Sequence, residues 1–299
     1  MSLFAFLGAV ELGLIYGLVA LGVFLTFRIL DFPDLTVDGG FAMGGAVAGV
    51  IIVAGVFGAA SPWLALLAAF AAGGAAGLVT AILAVRFKIL HLLASILTMI
   101  AAYSINIRIM GRPNLALLGE DTVVSETAPA FEALGLGADW GRVLLAALFA
   151  AGAAALLIRL LASDFGLAMR AAGQNPRFLA AQGGAPGLYV AIGLTLSNGI
   201  VAVGGALFAQ FNGFADVSAG VGTIVVGLAA VILGETLFGR RAIWMAALAC
   251  VLGSVLYRIA MAVALNVDAL GLRPSDLNLV TAALVALALI APQLKRRAA

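Results

Sequence analysis

Charged residues are scarce in this sequence: Asp, Glu, Lys and Arg make up 10% of its 299 residues. The surface of a soluble domain usually needs about a quarter of its residues charged. Apolar residues account for 64% of the chain instead, and another 37 residues are glycine. The composition therefore excludes a water-soluble globule and indicates a protein that lies mostly within a membrane.

Cysteine and histidine are almost absent, since Cys250 and His91 are the single residues of their types. This scarcity excludes a disulfide framework, a zinc site of the usual His/Cys kind and a Ser-His-Asp triad with a spare histidine. Neither lysine, Lys88 or Lys295, stands in the Gly-Lys-Ser/Thr context of a phosphate-binding loop. We expect no metal and no cofactor in this chain, and any ATP and Mg²⁺ chemistry must belong to a partner.

The net charge of +2 is small, and no basic stripe interleaved with aromatic residues occurs. The sequence therefore lacks the electrostatic pattern of a nucleic-acid-binding protein. Nucleic acid is excluded as a partner.

Long apolar runs occupy most of the chain. A bilayer is crossed by about 20 mainly apolar helical residues, and nine stretches of suitable length are bounded by charges, prolines or polar clusters. The sequence thus predicts an all-α, polytopic membrane protein with about nine spans. They run approximately over 4–28, 39–58, 62–85, 89–108, 142–161, 187–210, 221–238, 242–264 and 277–292.

The distribution of Lys and Arg predicts the orientation, because positively charged flanks of short loops stay in the cytoplasm. With the N-terminus outside and the C-terminus inside, eleven basic residues fall in inner segments and four in outer ones. We therefore expect one transmembrane domain over 1–299. Its parts are a first repeat (1–110), an outer loop (111–141), a connecting span (142–161), a cytoplasmic loop (162–187) and a second repeat (188–299).

An internal repeat aligns with an offset of 182 residues. Asp34-Leu-Thr-Val, followed by Gly40, corresponds to Asp216-Val-Ser-Ala, followed by Gly222. Spans 1 and 6 would cross the membrane in opposite directions, so spans 1–4 and 6–9 form inverted repeats. That plan commonly places a transport path at the repeat interface.

Each repeat carries a polar break followed by a helix start. Irregular backbone at membrane depth is tolerated only where protein or a wet cavity surrounds it, and a helix N-terminus there offers free N–H groups. The alternative is that both breaks are ordinary turns among lipid headgroups. The candidate substrate-path residues are Asp34, Thr36, Asp38, Asn198, Asp216, Ser218, Glu11 and Arg258.

Three of the ionisable or polar residues inside the spans have an alternative structural role. An ionisable side chain near the bilayer centre costs roughly 2.5–3.5 kcal/mol on insertion scales and so needs a partner or a function. Glu11 and Arg258 either pair with each other or line a polar path. Asn198 is of a type that commonly hydrogen-bonds across membrane helices.

The inner segment 163–187 is longer than the usual connection between helices. Ser163 and the turn at Asn175-Pro176 predict two short helices that suit a docking element under the membrane. A plain connector is the alternative.

This segment also makes the chain recognisable. Gly-Leu-Ala-Met-Arg-Ala-Ala-Gly-Gln-Asn-Pro at 166–176, with Ala-Ala-Gln-Gly at 180–183, resembles the coupling loop of permeases in the branched-chain amino acid and ribose class of ABC importers. The segments 11–17, 31–39, 213–228 and 256–258 resemble one branch of that class, often associated with tryptophan and tyrosine import. One departure is Gly40, where that branch more typically has serine.

The resemblance implies a bacterial inner-membrane permease that forms a homodimer, binds two cytoplasmic ATP-binding subunits and receives solute from an extracytoplasmic binding protein. Aromatic amino acids are the first expected substrates and branched-chain amino acids the second. The residues implied in ATPase coupling are Phe165, Gly166, Arg170, Gly173, Asn175, Pro176 and Arg177.

Other classes of protein share some of these features. An ion-coupled secondary transporter also uses inverted repeats and broken helices, and a permease for sugars or nucleosides would have the same architecture. A channel or an intramembrane enzyme is less consistent with the sequence, which offers no plausible pair of nucleophile and base.

Overall fold

A computed structural model describes residues 3–55, 57–135, 137–238 and 242–265, together with positions 283 and 286. Eleven α-helices and one two-stranded sheet are found in these ranges. The helices are α1 Leu3–Val23, α2 Thr36–Val53, α3 Ser61–Ala81, α4 His91–Met110, α5 Val123–Ala133, α6 Ala138–Ala162, α7 Asp164–Gln174, α8 Pro176–Ala181, α9 Pro186–Asn212, α10 Thr223–Phe238 and α11 Ile243–Leu265.

Eight of the helical segments are long and apolar enough to cross a membrane. They confirm the polytopic all-α class and lie close to eight of the nine predicted spans: Leu3–Ile29, Thr36–Val53, Gly58–Arg86, His91–Met110, Ala138–Ala162, Pro186–Asn212, Val217–Phe238 and Ile243–Ala264. The ninth predicted span, 277–292, lies outside the described residues.

Two helices end at glycines that adopt the left-handed conformation. Gly111 follows α4 with φ of 69°, and Gly213 follows α9 with φ of 76°. Both donate a backbone N–H to a carbonyl of the preceding turn, the usual way to close a helix C-terminus. The chain then turns sharply into the two short strands, β1 Asn114–Ala116 and β2 Phe214–Asp216.

Helix α9 lies at the centre of the described bundle, against α1, α2 and α3. Glycines permit this close approach: a Cβ on Gly44 would lie 1.8 Å from the Ala202 carbonyl oxygen, and one on Gly205 would lie 1.9 Å from that of Phe41. The glycine-rich stretches therefore bring helix backbones together, as small residues commonly do in membranes.

One end of the bundle is covered by the predicted outer loop. Strand β1 of this loop pairs antiparallel with β2, which follows α9, with Leu115 opposite Ala215. Helix α5 follows, and its first residue, Val123, donates its N–H to the Gln210 side chain at 2.9 Å. Sequence patterns did not predict the short sheet, because three-residue strands carry too little periodicity to be recognised.

Candidate functional site

The first polar break ends in a buried carboxylate. Asp34 is fully buried and accepts hydrogen bonds from the Thr36 backbone N–H at 2.9 Å and from Asn198 Nδ2 at 2.7 Å. Neither ion pair found among the described residues includes it. The cross-helix hydrogen bond expected of Asn198 is thus present, and it links the break to α9.

A chain of hydroxyl groups extends from this carboxylate through three helices. Thr98 donates to the Ala94 carbonyl at 3.1 Å, and Thr80 donates to Thr98 at 2.8 Å. The hydroxyl oxygens of Thr36 and Thr80 lie 2.7 Å apart and share a hydrogen bond. These buried bonds tie α2, α3 and α4 together beneath the break.

The first break lies inside the helix bundle, where Asp34 and Thr36 are fully buried. Its partner Asn198 comes twelve residues after the start of α9, roughly 18 Å along that helix at 1.5 Å per residue. The interpretation of this segment as an ordinary headgroup turn is therefore wrong for the first break. Protein surrounds the irregular backbone, as its depth requires.

The second break has the same local turn in a more open place. Asp216 accepts hydrogen bonds from the Ser218 N–H at 2.7 Å and the Ser218 hydroxyl at 2.5 Å, and Asn114 Nδ2 lies 3.3 Å away. Partial burial would raise the pKa of Asp216, but these hydrogen bonds outweigh it and lower the pKa below its usual value. Asp216 is therefore ionised at neutral pH.

Asp38 joins the two helix starts. Its carboxylate oxygens accept the backbone N–H groups of Gly222 at 3.0 Å and Ile224 at 2.8 Å, at the start of α10. A negative charge at a helix N-terminus is favoured by the helix dipole. Asp38 of α2 therefore caps the helix that begins the second repeat segment.

A cavity of about 350 Å³ opens beside Asp38, between α2, α4 and the segment before α10. Asn106 lines it and is fully buried; its Nδ2 lies 3.4 Å from the Gly39 carbonyl oxygen. Its Oδ1 has no hydrogen-bond partner among the described residues. The rest of the lining is Gly39, Ala42, Met99, Ile100, Tyr103, Ser104, Val217 and Val221.

Sequence reasoning did not single out Asn106 or Tyr103. Asn106 carries the same signal as Asn198, because an amide inside an apolar span needs a partner or a role. Tyr103 carries no such signal, since aromatic residues are common throughout membrane helices. Only the packing of α4 against α2 places the two side chains on one cavity.

Glu11 pairs with Arg142, so its suggested pairing with Arg258 is wrong. The guanidinium contacts both Glu11 carboxylate oxygens at 2.8 Å and the Phe211 carbonyl at 2.9 Å. Arg258 instead lies over the Tyr16 ring, 3.9 Å from its centroid, in a cation–π contact. Glu11 therefore ties α1 to α6, away from the cavity.

The other end of α1 carries a second ion pair, between Arg28 and Glu235. Arg28 belongs to the π-helical turn Phe24–Ile29, and Glu235 lies near the end of α10. Glu235 thus pairs with a basic residue at the predicted inner surface. No group of three metal-ligating side chains occurs in the described part of the chain.

The predicted coupling loop forms two short helices, as its sequence indicated. Ser163 caps α7 by accepting the Gly166 N–H at 3.3 Å, and Asn175 caps α8 by accepting the Phe178 N–H at 3.0 Å. Residues 174–178 are exposed in a continuous run.

The other named residues of this loop face inward. A Cβ on Gly166 would lie 2.3 Å from the Leu160 carbonyl oxygen, and one on Gly173 would lie 2.0 Å from that of Ile29. Phe165 packs on Tyr189 with ring centroids 5.1 Å apart, and Arg170 is half-buried. The exposed residues of the set are therefore Asn175, Pro176 and Arg177.

Comparison with known proteins shows similarity over nearly the whole chain. The family model described as a branched-chain amino acid transport system / permease component matches residues 6–291. A tyrosine transport system permease protein of Clostridioides difficile (strain R20291) is 37% identical over 273 residues, which cover 91% of this chain and 86% of the relative. An uncharacterized protein of Rickettsia prowazekii (strain Madrid E) is 35% identical over 276 residues, covering 91% and 92%. No solved structure matches significantly.

Proposed function

Because the chain belongs to the family of permease components of branched-chain amino acid transport systems, and is the membrane permease of an ATP-driven importer, we propose that it carries an aromatic amino acid. The family membership confirms the resemblance drawn from the motifs. It also makes the chain a multi-pass protein of the bacterial inner membrane that works with ATP-binding subunits and a binding protein. A secondary transporter is therefore not the preferred class.

The cavity beside Asp38 is the observation that supports the substrate class most directly. It combines one carboxylate and one unpartnered amide oxygen with an aromatic ring and apolar walls. Its volume of about 350 Å³ lies in the range of small-molecule sites. The relative named as a tyrosine transport permease points to the same class of solute.

We place the passage along the two polar breaks. Position 38 and its repeat counterpart, 220, contact each other, since a Cβ on Gly220 would lie 1.9 Å from the Asp38 carbonyl oxygen. Equivalent positions that touch lie near the axis relating two repeats. In this proposal Ser218 and Asp216 face the outer entrance, whereas Asp34, Thr36 and Asn198 close the path below.

Coupling to ATP hydrolysis is assigned to the exposed run 174–178. Arg177 and the 59% exposed Phe178 side chain offer a positive charge and an apolar surface to a partner. The inward-facing Gly173 lets α7 lie directly on the end of the first span. A movement of the docked ATPase would then reach α1 through this contact.

Reconstitution of the assembled importer in proteoliposomes tests this function. With its ATP-binding subunit and its binding protein, the permease should take up radiolabelled L-tyrosine only when ATP is inside. Unlabelled tryptophan should compete more strongly than leucine, ribose or a nucleoside. Preferred uptake of a sugar or nucleoside, or uptake driven by an ion gradient without ATP, would refute the proposal.

The same preparation tests the coupling surface and the homodimer. Phe178→Ala and Arg177→Glu should lower solute-stimulated ATP hydrolysis several-fold without changing the elution volume of the permease. Gly173→Val should instead disturb folding, because the new side chain meets backbone.

The mass of the complex tests the homodimer. It should correspond to two copies of this chain and two ATP-binding subunits; a functional complex with one of each would contradict the dimer.

A further inference from the structure

We propose that Asp38 and Asn106 hold the ammonium group of the transported amino acid, with the ring of Tyr103 beside its side chain. This inference rests on the proposed function, because it takes the solute to be an amino acid. It assigns a binding site to the cavity between α2 and α4. No ligand role had been attached to Asn106 or Tyr103 by sequence reasoning.

Asp38 supplies the charge. Its two oxygens each accept one backbone N–H of the α10 start, and a carboxylate has about four acceptor positions in total. Neither of the ion pairs among the described residues includes Asp38. The carboxylate therefore retains acceptor capacity at the cavity wall, and neither described ion pair supplies it with a basic side chain.

Asn106 supplies a second acceptor. Its Oδ1 is buried and has no partner in the described part of the chain, while its Nδ2 is directed to the Gly39 carbonyl oxygen. Leaving a buried polar atom unpaired carries a free-energy cost. A ligand that donates a hydrogen bond in the cavity would remove this cost.

The chemistry of these two groups selects an ammonium group. The Asp38 carboxylate and the Asn106 Oδ1 can only accept hydrogen bonds, and an ammonium group carries three donors and a positive charge. A carboxylate would meet repulsion from Asp38, and a neutral hydroxyl would bring a single donor and no positive charge. The amino end of an amino acid is therefore the part that this site fits.

The backbone of α2 makes the arrangement possible. A Cβ on Gly39 would lie 2.8 Å from the Ala102 Cβ, so only glycine lets α2 approach α4 this closely. Asp38 and Asn106 thereby face the same cavity from different helices. Tyr103, one helical turn before Asn106, is 52% exposed and lies at the cavity wall.

Protection of an introduced thiol tests the site without transport. In the purified full-length permease, Ser104→Cys places a thiol on the cavity wall, whereas the native Cys250 is buried. Tyramine and L-tyrosine should slow its reaction with a charged thiol reagent several-fold, whereas 3-(4-hydroxyphenyl)propionate, which lacks the amine, should not. Equal protection by all three compounds, or by the acid alone, would overturn the assignment, and so would protection by none.

Uptake by variants of the assembled importer supplies the second measurement. Asn106→Leu removes the acceptor and should lower the initial rate of L-tyrosine uptake at least about tenfold. Asn106→Asp keeps an acceptor and should stay within a few-fold of the wild type. Ser95→Ala, a buried change on the same helix outside the cavity, should have no effect.

These outcomes separate the site from the function. A wild-type importer that takes up no aromatic amino acid would refute the proposed function, while the thiol assay would still report on amine binding. Normal uptake by a folded Asn106→Leu variant would refute the site and leave the proposed function intact. Equal losses in Asn106→Leu and Asn106→Asp would also refute it, because the retained acceptor should rescue uptake.

Discussion

The two polar breaks have the same local structure in opposite surroundings. In each, an aspartate accepts the N–H of a hydroxyl-bearing residue two positions later, at 2.9 Å for Thr36 and 2.7 Å for Ser218. Asp34 and Thr36 are fully buried, whereas Asp216 is half-buried and Ser218 is exposed. Equal turns therefore do not imply equal roles.

The difference lies in what each turn contacts. Asp34 accepts a hydrogen bond from Asn198 in the middle of α9, and Thr36 joins the same turn to the hydroxyl chain through Thr80. Asp216 is the last residue of β2 in the short sheet at the bundle end, where it is paired with Asn114. The first break is a tertiary junction, while the second is a local turn that water can reach.

The largest effect is expected from removing the buried carboxylate. Asp34→Ala leaves the Thr36 N–H and one of the two N–H groups of the Asn198 amide without an acceptor, while the other stays near the Leu194 carbonyl oxygen at 3.1 Å. Each unpaired buried donor costs about 1–3 kcal/mol. The thermal midpoint of the detergent-solubilised permease should therefore fall strongly. Asp216→Ala should change the free energy of unfolding by less than about 1 kcal/mol, because water replaces the lost hydrogen bonds. Similar shifts in the two variants would contradict the comparison.

Thiol accessibility sharpens the contrast. Ser218→Cys should react readily with a charged reagent added from outside, whereas Thr36→Cys should react at least about tenfold more slowly in the resting permease, because its site is fully buried. Cycling the assembled importer with ATP should raise the rate at Thr36→Cys if the break opens to the passage. A constant, low rate in every state would make the first break purely structural.

A smaller change is expected at Gly40, next to the first break. A Cβ at this position would lie 3.2 Å from the Asn198 Oδ1, which has no partner in the described chain. Gly40→Ser therefore offers a donor and should stabilise the permease by about 0.5–1.5 kcal/mol. In the matched control, Gly44→Ser, the new Cβ would lie 1.8 Å from the Ala202 carbonyl oxygen. This substitution should therefore destabilise the permease. A loss of stability in Gly40→Ser would contradict this expectation and would show that the Asn198 side chain cannot move enough to accommodate the new Cβ.

The smallest effect concerns pH at the second break. Because the pKa of Asp216 is lowered in the folded protein, its stabilising contribution is complete above the ordinary value of about 3.9 and is lost as the pH falls through the lowered value. Unfolding followed between pH 6 and pH 3 should therefore show a slightly shallower acid-side decline in Asp216→Asn than in the wild type. An identical decline would mean that the turn survives in the unfolded chain.

Much of the molecule could be predicted because the signals are local. Eight spans follow from runs of apolar residues, the caps of α7 and α8 follow from Ser163 and Asn175, and the turns at both breaks follow from Asp-x-Thr and Asp-x-Ser. The partner of Glu11 could not be predicted in this way. Arg142 is 131 residues away, and no spacing rule relates two residues on helices that meet only through packing.

The membrane class, the span positions, the polar breaks and the family follow from the amino-acid sequence, because hydropathy, capping and motifs are properties of neighbouring residues. The full burial of Asp34, the half-burial of Asp216 and the cavity shared by Asp38 and Asn106 follow from tertiary packing instead. Those outcomes depend on how closely helices approach, and close approach is set by contacts between distant residues such as Gly39 and Ala102, or Gly44 and Ala202.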